Sequence, residues 1–174
     1  MLGMRLVRLI EMHSEALSRN LTERLRNLDR TSDFRNISAP ELEQAITEVY
    51  RNLGEWLLQK TESEIAARFK AVAARRASEG VRLHQFVSAL MLSRDHLWHF
   101  LEREAFADNI VELHGELQLY QHLNHFFDCA VYHAIVGYQQ AEQSVRTKGG
   151  LRRMQDPSLS AGETASSGTS RTNW

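Results

Sequence analysis

The sequence predicts an all-α fold, a bundle of about five amphipathic helices ending in a long C-terminal helix. Three observations predict it. Apolar residues recur at i, i+3, i+4 and i+7 along most of the chain, the repeat of one buried helix face. The 174 residues include two prolines and nine glycines, too few for a turn-rich all-β chain. Two Ser/Thr-x-x-Glu capping boxes stand where apolar stripes begin, and no stretch alternates with the period of a strand.

The first predicted helix runs from about Leu2 to Leu28, with Leu6, Leu9, Ile10, His13, Leu17 and Leu21 in one stripe. A turn-rich gap, Asp29 to Ile37, follows. Ser38-Ala39-Pro40-Glu41 opens the second helix. The serine can accept from a free N–H, the glutamate can reach back, and Pro40 loses no intrahelical donor in a first turn. Its stripe is Leu42, Ile46, Val49, Leu53, Trp56 and Leu57. Thr61-Glu62-Ser63-Glu64 opens the third helix, which carries Ile65, Phe69 and Val72 and stops at Gly80, a natural residue past a helix end. Arg75-Arg76 near that end suits the negative pole of the helix dipole. The fourth helix runs from about Leu83 to Ala107, with Leu83, Val87, Leu90, Leu97, Trp98 and Leu101 inward. The fifth runs from about Ile110 to Val145, with Leu113, Leu117, Tyr120, Leu123, Phe127, Ala130, Val131, Ala134 and Tyr138 inward, nearly opposite a histidine stripe.

Composition divides the chain into a helical domain, residues 1–146, and an expected disordered tail, residues 147–174. Of the tail's 28 residues, 14 are Gly, Ser, Thr or Pro, too polar to offset the entropy of ordering. One cysteine excludes an intramolecular disulfide and a zinc site with several thiolates, and fits a reducing compartment. A formal charge of −1 supplies no basic field for nucleic acid. No uncharged apolar run approaches the roughly 18–20 residues of a membrane span. Arg5, Arg8 and Glu11 break any signal-peptide core, so a cytoplasmic protein is expected. Gly-rich phosphate loops, G-x-S-x-G and H-E-x-x-H are all missing. Cys129 has His133 one turn away, but a pair without an orienting third group or an oxyanion site does not make a nucleophile. No enzyme is expected.

Eight histidines are the unusual feature of the composition. His96-x-x-His99-x-x-Glu102 and His122-x-x-His125-x-x-Asp128 have the i, i+3 spacing that di-metal bundles use on inward faces. By helical phase at about 100° per residue both motifs fall on polar faces, as do His114 and His133, so no metal is expected. Haem would need an inward histidine in a late helix, and no cofactor is expected. Between Asp108 and Arg146 stand five acidic residues and one basic one, so protonating the histidine stripe would cancel the local charge and make a partner contact pH-dependent. His13 is the one histidine whose phase points inward. Arg94 falls on the apolar face of its helix, where it needs either an internal partner or an anionic or polar ligand. Trp56 and Trp98 read as core.

Three stretches together resemble a known family: Leu9-Ile10-Glu11-Met12-His13-Ser14-Glu15-Ala16-Leu17, then Val49-Tyr50-Arg51-Asn52-Leu53-Gly54-Glu55-Trp56-Leu57, then Arg75 to Leu83 continuing to Leu92-Ser93-Arg94-Asp95-His96-Leu97-Trp98. With Phe126-Phe127-Asp128 to Tyr138, they are similar to the N-terminal domain of RsbRD-type RsbT co-antagonists of bacterial stress signalling, over about residues 5–143. The resemblance implies a sensory or regulatory domain that dimerises and precedes an output module such as a STAS domain or a kinase. A polar tail is expected where that module would be, as in a free-standing relative that binds a partner or in an excised fragment. The mechanism expected is a shift in helix packing transmitted to a protein partner. The candidate ligand-binding residues are His13, Arg94, Trp98 and Tyr50. The rival readings are a haem- or metal-binding globin-like sensor and a structural scaffold subunit.

Overall fold

A computed structural model describes residues 2–104 and 110–155, with side chains described for residues 4–104, 117–145 and 147. All the regular elements among them are helical: α1 (Leu2–Met12), α2 (Ser14–Asn27), a 3-10 helix (Asp29–Asn36), α3 (Ala39–Arg51), α4 (Leu53–Leu58), α5 (Glu62–Ser78), α6 (Leu83–Glu104) and α7 (Ile110–Gln155). The chain falls into two units, residues 1–140 and 141–174. The first is the bundle. The second, where described, consists of the last turns of α7, up to Gln155. The expected tail begins inside that span, and from residue 156 on it lies outside the described residues.

The first predicted helix is two. It breaks at His13, whose φ of −97° and ψ of 11° leave the helical basin. Neither glycine nor proline marks the break. Ser18 turns its hydroxyl back onto the Ser14 carbonyl at 2.6 Å, the kind of bond that bends helices. The bend lets α1 pack on α4 while α2 packs on α3 and the 3-10 helix. At the α1/α4 contact the Gly54 N–H donates to Glu11 Oε1 at 2.8 Å. The second predicted helix also divides, at Asn52, whose side-chain amide donates to the Glu48 carbonyl at 2.8 Å and competes with continuation of the helix.

The two capping boxes differ. At α5, Thr61 accepts from the Glu64 N–H and Glu64 reaches back to the Thr61 N–H at 2.8 Å, as the sequence predicts. At α3, Ser38 is the N-cap residue but its side chain makes no cap bond. Glu41, expected to reach back, is instead held by Arg75 at 2.6 Å and Arg76 at 3.4 Å. Two guanidinium groups outcompete one backbone N–H. Gly80 ends α5 with a φ of +83°. The Val81 N–H reaches the Arg76 carbonyl at 3.0 Å and the Gly80 N–H the Ala77 carbonyl at 3.1 Å, the paired bonds of a Schellman turn.

The core gathers apolar side chains from every element, including Ile10, Leu21, Phe34, Leu53, Phe69, Leu97 and Leu123. Within the first unit α7 is anchored by rings: Phe126 lies 5.6 Å from Phe69, and Tyr138 lies 5.8 Å from Phe86. The buried Tyr138 hydroxyl donates to the Val81 carbonyl at 2.9 Å.

The buried face of α7 is rotated from the one expected. Leu119, Leu123, Phe126, Phe127, Ala130, His133, Ala134 and Tyr138 are buried, whereas Leu117 and Tyr120, expected inward, are about half exposed at 53% and 49%. Averaging over Leu117 and Tyr120 pulls the predicted apolar centre away from the histidine side. Consequently His133, expected on a polar face, is 9% exposed, and neither of its ring nitrogens has a partner. His122 and His125 are exposed as predicted. The side chain of His114 lies outside the described residues.

Candidate functional site

Between α2, α3, α5, α6 and α7 the bundle leaves a half-open cavity of about 110 Å³ with an almost wholly apolar lining. Ile46 and Val49 of α3, Val72 of α5 and Phe126 of α7 contribute to its walls. Its polar edge is Tyr50, Arg68 and Ser93. Burial pushes the Tyr50 hydroxyl well above the ordinary tyrosine range, so it stays a protonated donor. Its bond to the Ser93 carbonyl is long, 3.5 Å, and weak by ordinary hydrogen-bond geometry. Ser93 spends its own hydroxyl proton on the Ala89 carbonyl at 2.8 Å. Arg68 pairs through one terminal nitrogen with Glu48 at 2.9 Å, but its Nε is buried without a partner.

Arg76 also borders the cavity and is 4% exposed at the side chain. It meets Glu79 at 2.5 Å and Glu41 at 3.4 Å, so its role exceeds the expected complement to the helix dipole. Arg75 pairs with the same two glutamates from outside. Around the cavity three arginines are thus matched by three glutamates, Glu41, Glu48 and Glu79.

Of the four residues predicted to form a ligand site, Tyr50 lines this cavity and the other three do not. His13, expected to point inward, is exposed, because the helix bends at that residue and swings its ring outward onto Phe100 at 5.5 Å. Arg94, expected on the apolar face, is 30% exposed and finds Asp128 at 3.8 Å and Asp95 at 3.7 Å. The need for a partner is therefore met within the chain. Trp98 is half-buried, meets the Tyr120 ring at a tilt of 46° and 4.7 Å, and leaves its indole N–H without a partner. Contacts of Arg94 and Trp98 run to α7, those of His13 to the far part of α6. Arg68, Val72 and Phe126 are cavity residues missing from the predicted set. The signal for Arg68 was a cation one position before the buried Phe69, too common on helices to be singled out.

The histidine motifs do not converge. His99 Nδ1 lies 2.6 Å from the Asp95 carbonyl and His122 Nδ1 lies 2.7 Å from the Gln118 carbonyl, one turn back in each helix. No cluster of three or more metal-ligating side chains occurs among the described residues. Cys129 is buried and faces His125, Sγ to Nε2 3.7 Å, rather than His133. Burial and the nearby Glu62 and Asp128 push its thiol pKa up, away from a reactive thiolate. No helix among the described residues is long and apolar enough to cross a membrane.

Among the described residues, the all-α bundle thus carries an apolar cavity with two under-used donors at its edge. The class of domain comes from the family comparison. The family model of the RsbT co-antagonist protein RsbRD N-terminal domain matches residues 15–153, and the chain belongs to this family of stressosome-related signalling domains. No curated protein matches the chain, and no solved structure does.

Proposed function

We propose that the chain is a non-enzymatic, cytoplasmic regulatory domain that works as a homodimer and acts on a protein partner through changes in helix packing, with a small molecule as its signal. The observation that carries this reading is the family match over residues 15–153. The seat of α7 supports the packing part. A Cβ at Gly137 would stand 2.8 Å from Ala73 Cβ and 2.9 Å from the Lys70 carbonyl oxygen, so α7 and α5 touch backbone to backbone there. A small shift of α7 cannot be absorbed at such a contact and must move a whole element.

The test is genetic and hydrodynamic. Deleting the gene in its own host should change the induction of stress-responsive genes, and a copy carrying Gly137→Ala should fail to restore it. An induction curve that neither change moves would remove the regulatory reading and leave the scaffold alternative. Sedimentation of the purified chain should give a dimer, and a monomer at every accessible concentration would end the homodimer.

A further inference from the structure

The cavity walls and their polar edge restrict what could enter. The volume, about 110 Å³, is of the order of the ~150 Å³ apolar cavity that takes up benzene. One ring, or an alkyl group of that size, fills it. The walls offer such a body nothing but apolar contact. The edge offers hydrogen-bond donors: the Tyr50 hydroxyl, weakly engaged at 3.5 Å, and the unpartnered Nε–H of Arg68. A guest with an acceptor would satisfy a buried donor that is otherwise left wanting.

Charge narrows the guest further. Arg68 carries Glu48, and Arg76 carries Glu41 and Glu79, with Arg75 completing the balance. Among the described residues bordering the cavity, no positive charge is in surplus to neutralise an incoming carboxylate or phosphate. A buried anion would have to displace a glutamate from its arginine, at a desolvation cost the existing pairs already meet.

We propose that this cavity is the binding site for an uncharged, one-ring-sized apolar molecule carrying a single hydrogen-bond acceptor such as a carbonyl, with Tyr50 and Arg68 as its donors. The proposal deepens the sensory reading above and rests on it for its biological sense, but binding itself is measurable without any partner. The polar residue first singled out from the sequence that belongs to the site is Tyr50. His13, Arg94 and Trp98 have no part in it.

Three probes separate the determinants in calorimetry and saturation-transfer NMR on the full chain: acetophenone (ring and carbonyl), toluene (ring alone) and benzoate (ring and charge). Acetophenone should bind tightest and benzoate weakest. Tyr50→Phe keeps the ring and removes the donor. It should weaken acetophenone about tenfold, the worth of one hydrogen bond, and leave toluene unchanged. Ala45→Leu adds a side chain to the α3 wall of the cavity and should abolish binding of both neutral probes without lowering the melting temperature. If Ala45→Leu does not fold, Tyr50→Phe decides alone. Absence of binding by all three probes, benzoate binding as tightly as acetophenone, or an acetophenone affinity indifferent to Tyr50→Phe would each overturn the proposal. A probe that binds as proposed while gene deletion leaves stress induction unchanged would leave the site standing and remove the sensory reading.

Discussion

Two contacts in the bundle are made of opposite materials. At the corner between the 3-10 helix and α6 the contact is polar and directional. Gln85, 2% exposed, accepts the Asp33 N–H at 2.6 Å and offers its amide to Ser32 at 3.2 Å. The Asp33 carboxylate takes the Arg82 backbone N–H at 3.0 Å and grips the guanidinium at 2.9 and 3.0 Å. At the crossing of α5 and α7 the contact is steric, set by the missing side chain of Gly137 against Ala73 and Lys70. A polar corner fixes direction and weakens group by group as partners are removed. A close-packed crossing has no spare volume and responds to one added atom.

The sharpest way to break the comparison is Gly137→Ala. The new methyl would meet backbone at 2.9 Å, which cannot rotate aside, so the helices must separate. Overpacking of this kind should cost about 3 kcal/mol, read as a shift of the urea midpoint. A variant as stable as the parent would mean that the crossing is looser than its geometry. Next comes Gln85→Leu, which keeps bulk but strands the Asp33 N–H and the Ser32 hydroxyl. About 2 kcal/mol should be lost, and Gln85→Glu should recover part of it because an acceptor remains. Equal loss in both variants would reduce Gln85 to a packing residue.

The caps supply a smaller contrast of the same kind. Thr61→Ala removes an observed cap bond and should cost about 1 kcal/mol. Ser38→Ala removes none and should stay within about 0.5 kcal/mol. Equal costs in thermal denaturation would show that Ser38 caps its helix in solution.

Local signals explain what was legible. Thr61 with Glu64, and Gly80 past a helix end, act through their own backbone neighbourhood, so their sequence is enough. The breaks at His13 and Asn52 carry neither glycine nor proline. They exist because α1 must lie on α4 and α3 must hand over to α4, and periodicity within a single helix does not contain that demand. The same holds for α7: Leu117 and Tyr120 are apolar yet exposed, and they drag a phase average that His133 and Phe126 would have corrected. The site suffered most. Tyr50 was within reach because it stands in the Val49 to Leu57 stretch that carries the family resemblance. Arg68 was not, since its orphaned Nε depends on which nitrogen Glu48 holds, a matter of tertiary geometry.

Acidification should separate the polar corner from the rest of the molecule. The hydrogen bonds from Arg82, side chain first and backbone second, hold Asp33 below the usual carboxylate value of 3.8, despite some opposition from burial. A carboxyl depressed in the folded state binds fewer protons there than in the unfolded chain. Its stabilising effect is therefore complete above pH about 4 and is lost as pH falls through the folded value. His96 is depressed too, chiefly by burial and then by the charge of Arg24, against a hydrogen bond with the Leu17 backbone. Here the unfolded chain also binds the extra proton first, so stability falls as pH drops below about 6.5 and levels off once the folded imidazole protonates. Two steps in separate windows should appear in a plot of urea midpoint against pH. His96→Gln should flatten the upper one and Asp33→Asn the lower, while Gly137→Ala should displace the whole curve downward without changing its shape. A lower step that persists in Asp33→Asn would move the acid-sensitive contact out of this corner and dissolve the contrast between directional and steric holding.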